Sequence, residues 1–241
     1  MRKVLLRLLF CLPAAAMLTP GPASAQGAFN MGMLTNTLSQ GGSTQSESVR
    51  ARTSSVFRSM SRAPRSATVN RAAITYRPSS AVRQRNMQQF VERLRRVDPT
   101  SAADMQRTFS RRDVVAEIGG AMRPVGLNPN NVADAMAMYL VTAYYGVRGS
   151  VDSKPADFKA VSAQMARAVS TTPGFANASD ALKQEIAESM LVQALLVDQA
   201  VQAAQKQPSA MPSIKAAITK GARAAFGFDV SRMQLGPNGL S

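Results

Sequence analysis

The feature that most constrains the fold is a helical spacing of apolar residues, which begins near residue 80 and persists to about residue 226. The first apolar stripe consists of Met87, Phe90, Val91, Leu94 and Val97. These positions fall on one face of a helix with 3.6 residues per turn. Asp98-Pro99 then ends this helix, because the residue before a proline avoids the helical region. No segment shows the alternating pattern of a β-strand.

The segment from Val132 to Tyr145 is the most apolar of the predicted helices. It runs almost without charge, and Asn128-Pro129-Asn130 supplies cap residues and a proline at its start. A helix that is apolar on most sides is normally buried on most sides. We therefore predict that this is the central helix of the domain.

Further helical segments precede and follow the central one, each bounded by proline, glycine or a capping residue. The pattern predicts an all-α fold, an irregular bundle of about six to seven helices. These helices would form a single domain over residues 81–241. The last residues, from Phe228, are expected to form a short irregular tail.

Residues 26–80 differ in composition from the rest of the chain. They are rich in Ser, Thr, Gly and Arg, and Glu47 is their one acidic residue. Their seven arginines are Arg50, Arg52, Arg58, Arg62, Arg65, Arg71 and Arg77. With few large apolar residues at a helical period, such a segment buries too little surface to offset its ordering entropy. We predict a disordered basic arm.

The start of the chain has the features of a signal peptide. Arg2, Lys3 and Arg7 precede an apolar run over residues 8–18, and Ala23-Ser24-Ala25 provides the small residues at which signal peptidase cleaves. The run is shorter than the roughly 20 residues that span a bilayer. We predict cleavage after Ala25, a periplasmic or extracellular location, and no transmembrane segment in the mature chain.

The composition excludes several chemistries. The chain has no histidine, which removes imidazole bases, Ser-His and Cys-His pairs and histidine-containing zinc sites. Its one cysteine, Cys11, lies in the predicted signal peptide. Two methionine pairs, 31/33 and 136/138, carry soft thioethers that suit Cu(I), but packing is the favoured interpretation. We predict no cofactor and no metal.

A thin polar stripe runs along the central helix and is the first candidate site. Its members are Asn131, Asp134, Thr142 and Tyr145, with Met138 on the same line. In one interpretation Asp134 binds a cation or acts as an acid or base in a pocket. In the other, which we favour, Asp134 lies near the helix start because the helix dipole stabilises a carboxylate there.

Glu188-Ser189 is the second candidate. A Glu-Ser pair on a helix resembles the catalytic acid of lytic transglycosylases, which cleave peptidoglycan and need a protonated carboxyl group in an apolar pocket. The segment after Glu188 lacks that family's further motif, and Glu185 and Glu188 also suit an exposed helix face. We favour the exposed face.

Two segments resemble a known family. The first runs from Gly126 through Asn128-Pro129-Asn130 to Ala135 and continues to Tyr145, and the second is the ending from Phe226 to Leu240. Both are similar to motifs of a family of secreted bacterial proteins of unknown function. The resemblance covers about Met87 to Leu240. It implies one exported helical domain after a variable leader, and no activity.

These features predict an exported helical protein that is more readily a non-catalytic binding or envelope-associated protein than an enzyme. The predicted partners are anionic envelope components, bound weakly through the arginines of the arm. Specific nucleic-acid binding is not expected, because Phe57 and Tyr76 are the arm's only stacking residues near its arginines. The alternative is a peptidoglycan-cleaving enzyme that uses a carboxylic acid. The sequence leaves the oligomeric state open.

Overall fold

Helices dominate the computed structural model, which describes residues 31–241. Within these residues the α-helices are α1 (Met31–Ser39), α2 (Glu47–Met60), α3 (Arg71–Ile74), α4 (Ser80–Arg95), α5 (Pro99–Arg111), α6 (Val114–Met122), α7 (Val132–Gly146), α8 (Pro155–Thr171), α9 (Asp180–Lys206) and α10 (Met211–Phe226). Two short antiparallel strands, β1 (Leu235–Gly236) and β2 (Gly239–Leu240), follow. The predicted all-α class is confirmed, and α4 to α10 are the seven helices of the expected bundle.

The centre of the fold is the contact of α7 with α8 and α9. Most of α7 is buried, including Met136, Tyr139 and Leu140. The 27-residue α9 is also buried along most of its length, and Ser179 caps its start by accepting a hydrogen bond from the Leu182 amide. The prediction that α7 is the central helix is therefore confirmed.

The prediction of a disordered arm is wrong for residues 31–80. This segment contains α1, α2 and α3, which pack against α8, α9 and α10. Leu34, Leu38, Val49 and Val56 are all buried and belong to the same hydrophobic core as the rest of the chain. The helical domain therefore begins no later than residue 31, not at residue 81.

The disorder prediction fails because α2 has a narrow apolar stripe, which the surrounding arginines and serines make hard to recognise in the sequence. The buried residues of α2 are Val49, Thr53, Val56, Phe57 and Met60. They recur at helical spacing, and the stripe includes a threonine, so a count of large apolar residues underestimates it. The Phe57 ring lies 5.0 Å from those of Phe226 and Phe228, at the end of α10 and just beyond.

Close backbone contact between α1 and α10 offers a direct test of this docking. Gly221 of α10 faces the carbonyl oxygen of Leu38 so closely that a side chain there would overlap it. We expect Gly221→Ala to lower the free energy of unfolding by about 1–3 kcal/mol, because the helices must move apart. Urea denaturation of the two proteins measures the difference.

Gly120→Ala is the matched control for this experiment. Gly120 also lies inside a helix, α6, but a methyl group there meets no atom within 4 Å. Alanine should stabilise that helix by roughly 0.5–1 kcal/mol. Equal effects of the two substitutions would show that α1 is not docked on α10.

The tail departs from the irregular structure that was expected. The hairpin of β1 and β2 packs on α8, where Gln164 fixes it through two hydrogen bonds with Leu240. The Gln164 amide donates to the Leu240 carbonyl at 2.7 Å, and its oxygen accepts from the Leu240 amide at 2.8 Å. The side chain of the buried Gln164 thus bonds both backbone polar groups of Leu240, as a neighbouring strand would do.

The predicted signal peptide, residues 1–25, and its cleavage site lie outside the described residues. Within residues 31–241, none of the helices combines the length and apolar character that a membrane-spanning segment needs.

Candidate functional site

Asn131 and Asp134, the first two residues of the predicted stripe, organise the start of α7. Asn131 is the N-cap, and its side-chain oxygen accepts from the amides of Ala133 at 2.9 Å and Asp134 at 3.4 Å. The Asp134 carboxylate is buried and accepts from the Asn128 amide at 2.8 Å and from the Ser162 hydroxyl. Burial raises the pKa of Asp134, although both hydrogen bonds lower it. Its contacts join the loop before α7 to α8.

Thr142 and Tyr145, the other two stripe residues, lie at the opposite end of α7. Tyr145 lies eleven positions after Asp134, which is about 16 Å along the helix axis. The Tyr145 hydroxyl donates to Asp157 at 2.7 Å, and burial followed by this bond raises the pKa of Tyr145 above its ordinary range. The structure thus does not bring the four predicted residues together in one site.

Asp198 of α9 is a residue that the sequence analysis missed. It is 4% exposed and borders a narrow cavity of about 10 Å³ together with Met138, Thr142 and Tyr145. The Gln202 side chain donates to its carboxylate at 2.6 Å. No residue that lines this cavity carries a positive charge, and burial raises the pKa of Asp198 to about 7.

Glu188 is fully buried, so the favoured prediction of an exposed helix face is wrong for this residue. Its carboxylate accepts from Arg83 Nε at 3.0 Å, Asn86 Nδ2 at 2.6 Å and Gln184 Nε2 at 2.8 Å. The prediction fails because α4 covers this face of α9. Glu185, one turn earlier, is partly exposed and pairs with Arg93 at 3.4 Å.

Arg83 connects this buried carboxylate to the surface. Its guanidinium contacts Glu188 on the inside and Asp113 at 2.7 Å on the outside, where Asp113 is half exposed. Asp113 also caps α6 by accepting from the Ala116 amide at 3.0 Å. The network therefore ties α4 and α9 to the start of α6.

A second small cavity, about 10 Å³, lies on the other side of Asn86. Both polar atoms of Gln45, the Asn86 side-chain oxygen and the Ser189 hydroxyl are buried there without a hydrogen-bond partner in the described structure. The volume and the polar lining suit one water molecule, which needs two to four polar partners. The Ser189 hydroxyl is therefore buried, although the residue as a whole is only partly buried.

A groove of about 720 Å³ lies between α4 and the α5–α6 corner. Its apolar residues are Met87, Val91, Phe109, Val114 and Val115. Its charged residues are Arg83, Glu92, Arg95, Arg111, Arg112 and Asp113. We call this the arginine groove.

Further exposed arginines do not line that groove. Residues 48–91 contain nine arginines and no acidic residue. We define the basic surface as the exposed residues Arg50, Arg58, Arg62, Arg65, Arg71 and Arg77. In the described part of the chain the salt bridges involve other arginines. Arg52, by contrast, is half buried and donates to the Gly174 carbonyl at 2.9 Å.

The methionine pairs belong to the hydrophobic core, with Met31 partly buried against it. Met136 and Met138 are buried in α7, and Met33 is buried in α1, where its sulfur accepts from the Thr37 hydroxyl at 3.5 Å. Among residues 31–241, no group of three or more acidic or cysteine side chains could hold a metal ion. The thioethers therefore serve as core residues.

Comparison with family models identifies the family of the chain. The model of a family of unknown function (DUF6683) matches residues 3–241. The chain belongs to this family. The match to DUF6683 is longer than the expected resemblance from Met87 to Leu240, because it includes α1, α2 and α3. Searches of curated proteins and of solved structures found no match.

Membership of DUF6683 leaves the activity open, since the family has no known function. The features that remain are therefore chemical: three buried carboxyl groups, a groove with arginines at its edges and a basic surface. None of the buried carboxyl groups, Asp134, Glu188 and Asp198, lines the arginine groove.

Proposed function

We propose that this DUF6683 protein is exported and associates, without catalysis, with anionic surfaces of the cell envelope through the basic surface. The observation that carries the proposal is the set of six exposed arginines in a segment without an acidic residue after Glu47. A guanidinium offers several donors in a fixed geometry that suits phosphate and carboxylate oxygens. The signal-like residues 1–25 support export, which would bring this surface to the envelope.

The fold strengthens this proposal relative to a flexible arm. The helix α2 is held by its buried stripe, and Asn70 is tied to α8 through a hydrogen bond of 2.9 Å from its amide to Ser170. The arginines of this segment are therefore held at a fixed spacing, and less conformational entropy is lost when they contact a charged surface. Each arginine near an anionic bilayer contributes about 1 kcal/mol.

Vesicle co-sedimentation tests the proposal. We expect the protein to bind vesicles that contain phosphatidylglycerol and not vesicles of phosphatidylcholine, with release at high salt because the contacts are electrostatic. The triple variant Arg58→Gln, Arg62→Gln, Arg65→Gln should weaken binding at least tenfold.

A control variant of equal charge separates the basic surface from the overall charge of the protein. Arg96, Lys206 and Lys220 are exposed cations elsewhere on the molecule. Their replacement by glutamine removes the same three charges and should reduce binding much less. If both triple variants lose binding equally, or if phosphatidylcholine vesicles bind as well, the proposed surface is wrong.

The alternative, a peptidoglycan-cleaving enzyme, lacks a supporting observation. Such an enzyme needs a carboxyl group that can reach a glycosidic oxygen. Glu188 is 0% exposed and its oxygens accept three hydrogen bonds, while Asp134 is 7% exposed and holds a loop. Peptidoglycan turnover that depended on Glu188, and fell in Glu188→Gln while the fold was retained, would restore this alternative.

A further inference from the structure

We infer that the arginine groove binds a small amphipathic monoanion, a molecule with one carboxylate head and an apolar chain. This site is separate from the basic surface, because the groove is built by α4, α5 and α6 and none of the six surface arginines lines it. The inference therefore goes beyond the proposed function, and either can fail alone.

The size of the groove and its apolar floor indicate that the ligand has an apolar chain. At about 720 Å³ it lies within the range of small-molecule sites, about 300–1,000 Å³. The floor combines Met87 and Val91 of α4 with Phe109 of α5, whose ring packs 5.9 Å from that of Phe90. Apolar surface at the bottom of a groove favours a ligand that can cover it.

The arginines around the floor indicate that the ligand has a negatively charged head. Three of them already pair with carboxylates: Arg83 with Asp113 and Glu188, Arg95 with Glu92, and Arg112 with Glu117. Arg111 is exposed and takes part in none of the salt bridges of the described residues. A ligand can therefore engage one guanidinium without breaking an ion pair.

A single available arginine favours a single negative charge. A carboxylate matches the guanidinium in charge and in its two parallel hydrogen bonds. A phosphate monoester carries −1.5 to −2 near neutral pH, which Arg111 alone does not balance. The paired Arg83 is held from behind by the buried Glu188, so this edge of the groove is fixed before a ligand arrives.

Titration calorimetry with dodecanoate tests the site. The protein as isolated from the expressing cells should bind one dodecanoate saturably, at concentrations below micelle formation. Dodecyl maltoside, which has the same chain and no charge, and acetate, which has the charge and no chain, should each bind at least tenfold more weakly. Dodecyl phosphate should not bind more tightly than dodecanoate.

Two pairs of variants locate the site. Arg111→Gln should weaken dodecanoate binding at least tenfold, whereas Arg96→Gln, at an exposed position outside the groove, should leave it within twofold. Gln88→Trp places a large ring in the groove and should abolish binding. Ala103→Trp, at an exposed position of α5 outside the groove, should not.

Several results would overturn the inference. These are the absence of saturable dodecanoate binding, equal affinity for dodecyl maltoside, tighter binding of dodecyl phosphate, or equal binding by the Gln88→Trp and Ala103→Trp variants. The triple variant of Arg58, Arg62 and Arg65 should bind dodecanoate as the parent does, which keeps this test independent of the vesicle experiment.

Discussion

Asp198→Asn should stabilise the protein at pH 8 and have little effect near pH 4. The pKa of Asp198 is about 7 in the fold, against 3.8 for an ordinary aspartate, because burial disfavours its charged form. The folded state therefore holds a proton that the unfolded state loses. The stabilisation from this proton is complete below pH 3.8 and is lost as the pH rises to about 7.

The difference between the variant and the parent should follow that window. The loss in the parent is of order 4 kcal/mol between pH 4 and pH 8, and the variant would avoid it because an amide stays neutral. The amide oxygen can still accept the hydrogen bond that Gln202 donates. Urea denaturation of both proteins from pH 4 to pH 8 measures the effect.

Asp152→Asn provides the control for this experiment. Asp152 is exposed, so its replacement changes the charge of the protein by the same amount without relieving a buried group. Its stability should follow that of the parent at every pH. Parallel curves for Asp198→Asn and the parent would contradict the assignment of a buried proton to Asp198.

The main bundle could be predicted from sequence because its signal is local. The apolar stripes of α4 to α10 recur at helical spacing, and prolines and capping residues mark their approximate limits. The start of α6 follows the same rule, since Asp113 caps it by accepting a hydrogen bond from the Ala116 amide at 3.0 Å.

The docking of α1 and α2 on the bundle was not predicted. The stripe from Val49 to Met60 was present, but its small size and the surrounding arginines resembled a disordered segment. Its burial depends on a surface that α8, α9 and α10 build from residues about a hundred or more positions away. Composition alone does not reveal such a partner.

The candidate site also combines features that depend on local sequence with features that depend on distant residues. A capping asparagine before α7 was predicted, but the cap is Asn131 and not Asn128 or Asn130. The environment of Thr142 and Tyr145 depends on Asp198, which approaches from another helix. The sequence did show that Asp198 is a charged residue within an apolar run. This pattern indicates a buried carboxyl group only when the helices that pack against α9 are known.

The ion pair of Arg83 and Glu188 should show a strong asymmetry between its two members. Arg83→Met leaves the fully buried Glu188 without a cation and should lower the free energy of unfolding by about 3–5 kcal/mol. Glu188→Gln should cost less, because Arg83 is partly exposed and keeps Asp113 as a partner. Urea denaturation at pH 7 compares the two variants.

The double variant decides whether the buried charge is the cause. If Arg83→Met destabilises because it leaves a buried carboxylate without its cation, adding Glu188→Gln should recover much of the loss. The amide carries no charge, and its oxygen can still accept one of the two hydrogen bonds that Asn86 and Gln184 donate to Glu188. Arg95→Met, which removes one partner of an exposed pair with Glu92, should cost about 1 kcal/mol or less. Additive losses in the double variant would instead mean that Arg83 stabilises the fold through packing and its contact with Asp113, independently of Glu188.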